Sequence, residues 1–454
     1  MTAPAYAIDS RANAVKPEGP HVMTGAAADR AARMPWWTSP AGIHLGFLLP
    51  ILLLIAYVGS TGYSGLTIRG IRFLTAQYIV LGCAILLVSA LCGWIGSQIA
   101  VKVPLDDSKQ RWDRAAYVVG GVALFAYVFW FRDLVFNPVL VFKTLIGTYR
   151  PDRTNIELTT GLTSLANIAP VFFALYTYQV MVLRRPLHRR LHIMCFTLVC
   201  FTLLRVYAWS ERLAMIEAAV PFGLAAAISM YRAGGRGARL VRLGPFGAIP
   251  LLIVYFAAFE FFRSWNSATY NKHFSFWEFA LGRIASYYYT SLNNGAGVLS
   301  TNDWPSYQFE NVLNWLHRAP LVGRLFSSWV QLRQSQISVF LTKFGDVEFN
   351  NPSGLYSVIY DLGLPLGLLY FGLVAFAGGL LYRAYRVGTV TGVILYPIFF
   401  MTFLEVLRLP YLGSSRTFTC VLGAGLALLI ALPSGKRKAT KKSAHGSGVE
   451  GVAA

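Results

Sequence analysis

The chain has 454 residues, of which 55% are hydrophobic and only 13% are charged, and its mean hydropathy is +0.50. A soluble chain usually has about a quarter of its residues charged. The composition therefore excludes a soluble multidomain enzyme, a disordered chain and a disulfide scaffold, and it indicates a polytopic membrane protein. The formal charge of +20 would suggest nucleic acid binding in a soluble protein. In a membrane protein the charge instead raises the question of which side each basic residue occupies.

Apolar segments predict an all-α protein with about ten transmembrane helices, because a span needs about 20 mostly apolar residues. The windows are 43–62, 75–98, 115–131, 160–183, 192–208, 213–231, 244–262, 355–381, 389–407 and 417–432. The chain start lacks the apolar core of a signal peptide. The predicted organisation is a disordered segment 1–40, seven spans in 41–262, a large outer loop 263–354, three spans in 355–432 and a basic disordered tail 433–454.

The basic residues predict the orientation. Of the 40 lysines and arginines, 23 fall in the two termini and in loops that ten spans place on the same face. Such loops normally remain in the cytoplasm, so both termini are predicted to be cytoplasmic. The other 17 basic residues face outward, where membrane insertion does not require them.

The predicted outer loop is rich in aromatic residues, which stack on sugar rings and also favour lipid headgroup regions. Two stretches of this loop have the spacing of amphipathic helices: Phe309, Leu313 and Leu316, and then Leu325, Trp329 and Leu332. Such helices are expected to lie along the membrane surface and cap a cavity. The loop is therefore predicted to be a structured subdomain.

Ionisable residues recur at the outer ends of the predicted spans. A charge at membrane depth is costly and usually faces a cavity or a partner. Guanidinium groups suit phosphate oxygens, and carboxylates can orient arginines or accept a proton from a hydroxyl. The alternative is a set of interhelical salt bridges without chemistry. The residues are Arg205, Glu211, Arg212, Glu217, Glu260, Asp361, Glu405, Arg408 and Arg416.

Motifs for other chemistries are missing from the sequence. All five cysteines fall inside predicted spans, and no Cys or His has zinc-like spacing. The sequence Asp346-Val347-Glu348 is weak evidence for a divalent cation. Neither a phosphate-binding glycine loop nor a serine nucleophile elbow is present. No metal and no cofactor are therefore predicted.

Three motifs resemble the Wzy-type O-antigen and oligosaccharide repeat-unit polymerases, over roughly residues 190–425. Residues 210–217 are similar to the outer turn of these proteins. The start of their large periplasmic loop is similar to Gly282-Arg283 with Tyr287-Tyr288-Tyr289 and Asn293-Asn294. The end of that loop is similar to Asn350-Asn351-Pro352-Ser353-Gly354-Leu355-Tyr356 with Tyr360-Asp361-Leu362-Gly363.

The resemblance implies a glycosyltransferase at the periplasmic face of the bacterial inner membrane. Its substrates would be oligosaccharides linked to undecaprenyl pyrophosphate, and it would be surrounded by membrane lipids. A chain-length regulator is an expected partner, and nucleic acid is not. As a hypothesis, Arg205 and Arg212 stabilise the leaving pyrophosphate. Glu211 or Glu217, and after them Asp361, are the candidate bases. The candidate substrate-binding residues are Arg283, Tyr287, Tyr288, Asn351, Tyr356, Arg408 and Arg416.

Three alternatives remain open on the sequence. An O-antigen ligase often has a functional histidine in its outer loop, for which His273 and His317 are the candidates. A flippase for lipid-linked oligosaccharides should carry its charges near the membrane midplane, in broken helices of matching halves. A structural membrane subunit would explain the aromatic loop but not the clustered arginines.

Overall fold

The structure, a computed structural model, is helical throughout its regular part. It describes residues 34–61, 71–99, 109–146, 148–149, 156, 158–159, 161–209, 211–265, 271–272, 274–319, 322–329, 335–346 and 348–431, and no strand occurs within these ranges. The tail predicted over 433–454 and most of the segment predicted over 1–40 lie outside the described residues.

Fifteen helices of eight or more residues follow one another along the described chain. They are α1 (Pro40–Ser60), α2 (Ala76–Gln98), α3 (Lys109–Trp130), α4 (Pro138–Leu145), α5 (Thr163–Val182), α6 (Arg189–Trp209), α7 (Arg212–Ala233), α8 (Gly235–Arg242), α9 (Gly244–Glu260), α10 (Phe276–Thr301), α11 (Val322–Trp329), α12 (Gln336–Phe344), α13 (Gly354–Val387), α14 (Val390–Glu405) and α15 (Ser415–Ala431).

Among the described residues, six helices are long and apolar enough to cross a membrane: α1, α2, α5, α6, α7 and α13. Helices α8 and α9 are bent by 54° and together would make a seventh span. The prediction of an all-helical, multi-pass membrane protein is therefore confirmed. The other three predicted windows coincide with α3, whose first turns from Lys109 to Arg114 are charged, and with α14 and α15, which have only 16 and 17 residues.

The most extensive helix pair in the bundle is α2 with α13. Their backbones approach so closely that only glycine fits at the contact. A Cβ atom at Gly96 would lie 2.2 Å from the backbone oxygen of Phe376, and one at Gly379 would lie 2.3 Å from that of Gly93. Small residues at a helix crossing allow this close packing in apolar surroundings.

A kink divides α13. Gly363 has φ of 75° and ψ of 173°, which breaks the helix, and Pro365 has no N–H to donate to the turn before it. The carbonyl groups of Tyr360 and Asp361 therefore lose their helical donors. They accept instead from the backbone N–H groups of Ser306 (2.8 Å) and Tyr307 (3.0 Å). The kink thus creates a docking point for the chain between α10 and α13, which we call the connector (residues 302–353).

A buried carboxylate completes this docking point. The side chain of Asp361 is fully buried and accepts from the backbone N–H of Asn311 at 2.7 Å and of Val312 at 3.0 Å. It also accepts from Asn311 Nδ2 at 3.1 Å. A buried carboxylate needs such donors because its desolvation is costly. Asp361 therefore fixes the connector onto α13.

Helix α10 joins the connector to the bundle through two asparagines. The Oδ1 atom of Asn293 accepts from the N–H groups of Phe73 and Leu74 at 2.8 and 3.0 Å. Its Nδ2 donates to the backbone oxygen of Ile71 at 3.0 Å. The next residue, Asn294, donates to the carbonyl of Phe349 at 3.1 Å. The second half of α10 is consequently buried between the chain before α2 and the end of the connector.

We expect Asn293→Ala to lower the free energy of unfolding by about 2–4 kcal/mol, because it leaves two backbone N–H groups without their acceptor. Denaturant titration of the detergent-solubilised protein measures this change. Asn302→Ala, at the partly exposed end of the same helix, is the control and should change stability much less. Equal effects of the two variants would contradict the role assigned to Asn293.

Candidate active site

Ten ionisable side chains gather at one end of the helical bundle. They come from the C-terminal ends of α6, α9 and α14, from the N-terminal ends of α7 and α15, and from α10, the connector and the turn after α14. We call them the arginine–glutamate cluster: Arg205, Arg212, Arg283, Arg408, Arg416, Glu211, Glu217, Glu260, Glu348 and Glu405. Five positive and five negative charges leave the cluster formally neutral.

One half of the cluster is built around Glu211, which precedes α7. Its Oε2 accepts from Arg205 Nε at 2.6 Å, and its Oε1 pairs with Arg416. The guanidinium of Arg205 also donates to Asn167 Oδ1 at 2.9 Å. Both oxygens of Glu211 are thus held by arginines, so this carboxylate orients them and is poorly placed to accept a proton.

Glu217 lies next to this group but is held on one side only. Its Oε1 accepts from the hydroxyl of Tyr411 at 2.6 Å and pairs with Arg416 Nη1 at 3.3 Å. Burial raises the pKa of Tyr411 well above its ordinary value, so the phenol stays protonated and donates. The Oε2 atom of Glu217 makes no hydrogen bond to any residue that the structure describes. Of the two first-ranked candidate bases, Glu211 and Glu217, Glu217 has an oxygen without a hydrogen bond to a described residue.

The other half of the cluster centres on Glu260 at the end of α9, which is fully buried. Its two oxygens pair separately with Arg212 and with Arg283, the latter at 3.1 Å. Arg283 reaches further to Glu348 of the connector. Two arginines that the sequence places 71 positions apart are therefore held by one carboxylate.

Tyr287 connects this half of the cluster with Arg408. The guanidinium carbons of Arg212 and Arg408 each lie 5.5 Å from the centre of the Tyr287 ring. Phe256 also lies under Arg212, at 4.1 Å. Aromatic faces attract guanidinium groups electrostatically. Arg408 additionally pairs with Glu405 at 3.1 Å and interacts with Glu217, which closes the cluster into one network.

In this network Nη1 of Arg212 and Nε of Arg408 are buried without a hydrogen-bond acceptor among the described residues. A buried donor without an acceptor costs about 1–3 kcal/mol. Both donors belong to guanidinium groups that lie 5.5 Å from the centre of the Tyr287 ring, so each retains unused capacity for an anionic oxygen.

The remaining predicted site residues lie apart from the ion pairs. Asp361 docks the connector onto α13 and does not join the cluster. The hydroxyl of Tyr356 donates to the carbonyl of Tyr78 at 2.7 Å, and the carbonyl of Asn351 accepts from Asn294 at 3.2 Å. These three residues are used in binding the connector and the helices together. Tyr288, by contrast, lies close enough to Arg408 to interact with it electrostatically.

Three members of the site had no clear signal in the sequence. Asn167 is an ordinary polar residue of an apolar segment, and Tyr411 lies in the turn between α14 and α15; the partners of both lie on other helices. The sequence suggests Glu348 only together with Asp346, as a weak cation site. The structure uses the two separately, since Glu348 pairs with Arg283 and Asp346 Oδ1 accepts from the N–H of Glu348 at 2.7 Å. No group of three or more His, Cys, Asp or Glu residues suited to a metal occurs in the described ranges.

Comparison of the chain with protein-family models, with curated proteins and with solved structures finds no match. The resemblance to the polysaccharide polymerases therefore rests on the short motifs of the sequence. The function has to be argued from the geometry of the cluster and of the connector.

We expect Glu260→Gln to lower the free energy of unfolding by about 3–5 kcal/mol, because removing one partner leaves buried arginine charge uncompensated. Denaturant titration provides the measurement. Glu278→Gln, in the exposed first turn of α10, is the control and should change stability little. If Glu260→Gln were as stable as the parent, the central place of this carboxylate would be wrong.

Proposed function

We propose that this protein is a membrane glycosyltransferase that polymerises oligosaccharide repeat units linked to undecaprenyl pyrophosphate. In this proposal the chain crosses the bacterial inner membrane ten times with both termini in the cytoplasm. The arginine–glutamate cluster and the connector then face the periplasm. The product is a surface polysaccharide, and a chain-length regulator is the expected partner.

The observation that carries the proposal is the pair of unused arginine donors, Arg212 Nη1 and Arg408 Nε, at one aromatic ring. Arginine keeps its charge when it is desolvated, and its planar fork matches phosphate oxygens. A pyrophosphate that reached these two atoms would satisfy both donors. An interhelical salt-bridge set with no ligand leaves these two costs unexplained.

The proposed reaction requires an acceptor hydroxyl to attack the anomeric carbon of the growing chain. The new bond forms as the bond from that carbon to the pyrophosphate oxygen breaks, and negative charge develops on the leaving oxygen. Arg212 and Arg408 stabilise that charge. The acceptor proton passes to Oε2 of Glu217, a carboxylate oxygen of the cluster that makes no hydrogen bond to a described residue.

The other cluster residues position these groups. Glu211 holds Arg205 and Arg416, and Glu260 holds Arg212 against Arg283. A catalytic group must be held to within a fraction of an ångström of its productive place. In this mechanism Arg205, Arg283 and Arg416 set the field around the pyrophosphate, and Tyr287 forms the wall along which the glycan passes.

One observation favours the ligase alternative. His317, in the connector, donates from Nε2 to the carbonyl of Gln308 at 2.9 Å, while its buried Nδ1 has no partner among the described residues. The other candidate, His273, lies outside them. The flippase alternative is weakened, since the charges gather at helix ends and not at the middle of the spans.

We expect Arg212→Gln to slow elongation of a purified lipid-pyrophosphate repeat unit roughly 100-fold, because one well-placed donor contributes roughly 3 kcal/mol to the transition state. Gel analysis of the glycan products over time measures the rate. Arg212→Lys keeps the charge but loses the fork and should recover only part of it.

The matched control is Arg132→Gln, which removes a partly exposed arginine outside the cluster. It should elongate at the parent rate. Unchanged elongation by Arg212→Gln would remove Arg212 from the mechanism. Transfer of a finished glycan to a lipid acceptor without elongation would instead favour the ligase, and His317→Ala should then abolish that transfer.

The proposed orientation has its own test. The basic residues predicted to be cytoplasmic lie at the ends of α6, α7 and α13 opposite to the cluster, where Arg232 donates to the carbonyl of Arg386 at 3.2 Å. A cysteine at exposed Ser338 of α12 should react with a membrane-impermeant maleimide added to the periplasm. A cysteine at exposed Arg236 of α8 should react only after the inner membrane is opened. The reverse pattern would invert the orientation.

A further inference from the structure

A second site is suggested by a cavity inside the connector. It has a volume of about 690 Å³ and lies between the short helix Asn314–His317, helix α12 and the chain that follows α12. Small-molecule sites usually have volumes of about 300–1,000 Å³. The cavity contains no member of the arginine–glutamate cluster. We call it the connector cavity.

Most of the side chains lining the cavity are uncharged hydrogen-bonding groups or carboxylates. Those that matter here are Glu310, Asn314, His317, Ser338, Asp346 and Asn350. Carboxylates, carboxamides and hydroxyls are donors and acceptors for the hydroxyl groups of a sugar. Two carboxylates against the single arginine of the lining, Arg318, make this surface unfavourable for a phosphate. A neutral polyol fits its charge better.

The lining is held in place through one atom of each group, which leaves the other atom for a ligand. Glu310 Oε2 accepts from Ser335 at 2.7 Å, and Asn314 Nδ2 donates to the carbonyl of Glu310 at 3.0 Å. Asp346 Oδ1 accepts from two backbone N–H groups. The opposite atoms, Glu310 Oε1, Asn314 Oδ1 and Asp346 Oδ2, make no hydrogen bond to a described residue.

Two buried features indicate a preformed binding site and not an incidental space between loops. The Nδ1 atom of His317 is buried and has no partner within the described part of the chain, while its ring packs on Phe326 at 4.8 Å. The floor contains Asn311, which the buried Asp361 fixes through three hydrogen bonds that include Val312. A fixed floor and an unsatisfied buried nitrogen are what a preformed polar site requires.

The cavity adjoins the cluster through the end of the connector. Asp346 and Asn350 line the cavity, whereas Glu348 between them pairs with Arg283. On the other side Trp315 stacks on Phe418, with ring centres 3.8 Å apart, two positions from Arg416. A ligand in the cavity would therefore lie beside the residues that the proposed mechanism assigns to the pyrophosphate.

We infer that the connector cavity binds an uncharged sugar unit of the glycan, separately from the pyrophosphate site. That this sugar belongs to a lipid-linked repeat unit rests on the proposed function. The binding itself depends only on the cavity lining. The cavity thus holds glycan by hydrogen bonds, and the cluster holds the anionic end by charge.

The test measures binding of a lipid-free probe to the purified full-length protein. The probe is the oligosaccharide repeat unit released by mild acid from the surface polysaccharide of the native cell. Ser338→Trp, at an exposed position of α12, should fill the cavity and weaken binding at least tenfold in titration calorimetry. The neighbouring exposed residue provides the matched control, since Val339→Trp does not line the cavity and should bind like the parent.

A second variant distinguishes a loss of binding from a loss of folding. Asn350→Leu removes a carboxamide that makes no hydrogen bond to a described residue, so it should weaken binding without lowering stability. Arg212→Gln should bind the lipid-free probe as the parent does. Parent-like binding by Ser338→Trp and Asn350→Leu, no binding by the parent, or displacement of the probe by inorganic pyrophosphate would each overturn the inference.

An elongation assay on the same samples separates the two claims. If the parent binds the probe, loses it in Ser338→Trp and yet never elongates a lipid-linked repeat unit, the polymerase proposal fails and the sugar site stands. If the parent elongates and both cavity variants bind the probe normally, the sugar site fails and the polymerase proposal stands.

Discussion

A buried arginine cannot lose its charge, and this constraint organises one end of the molecule. Every guanidinium of the arginine–glutamate cluster has to meet a carboxylate, because an unpaired ion in apolar surroundings costs several kcal/mol. Glu211 and Glu260 meet this need by pairing with two arginines each. The pairs link helices α6, α7, α9, α10 and α15 and the connector. The ends of these helices are thereby fixed relative to one another by charge as much as by packing.

The same charge balance shapes what the cluster can bind. Five arginines and five glutamates sum to zero, so an anion cannot be attracted by net charge and must find donors that the carboxylates do not occupy. Arg212 and Arg408 have such donors, which lack an acceptor among the described residues. Selectivity would then come from geometry, since a bound group has to reach two N–H groups beside one aromatic ring. The arginines that would bind substrate would then be the same residues whose ion pairs stabilise the fold.

Much of this arrangement could be predicted from the sequence, because a charge at the end of an apolar segment must lie at the membrane boundary or against a partner. Arg205, Arg212 and Arg408 were expected at one face for that reason. The exact pairs were not predictable, since they join helices far apart in the chain. Asp361 shows the limit: its position suggests chemistry, but N–H groups of Asn311 and Val312 in the connector bind its carboxylate. Of the ten predicted spans, six to seven are long and apolar enough in the described residues, while α3 begins with charged turns and α14 and α15 are short.

The kink in α13 also decides how much of that helix a membrane can contain. A straight helix of 34 residues would be about 51 Å long, against a hydrocarbon core of about 30 Å. The part after Gly363 alone extends about 36 Å, which is enough to cross. The part before it, from Gly354 to Leu362, is then surplus to the crossing and is available at the membrane boundary. There it gives the connector a rigid floor made from the same helix that anchors the protein in the bilayer.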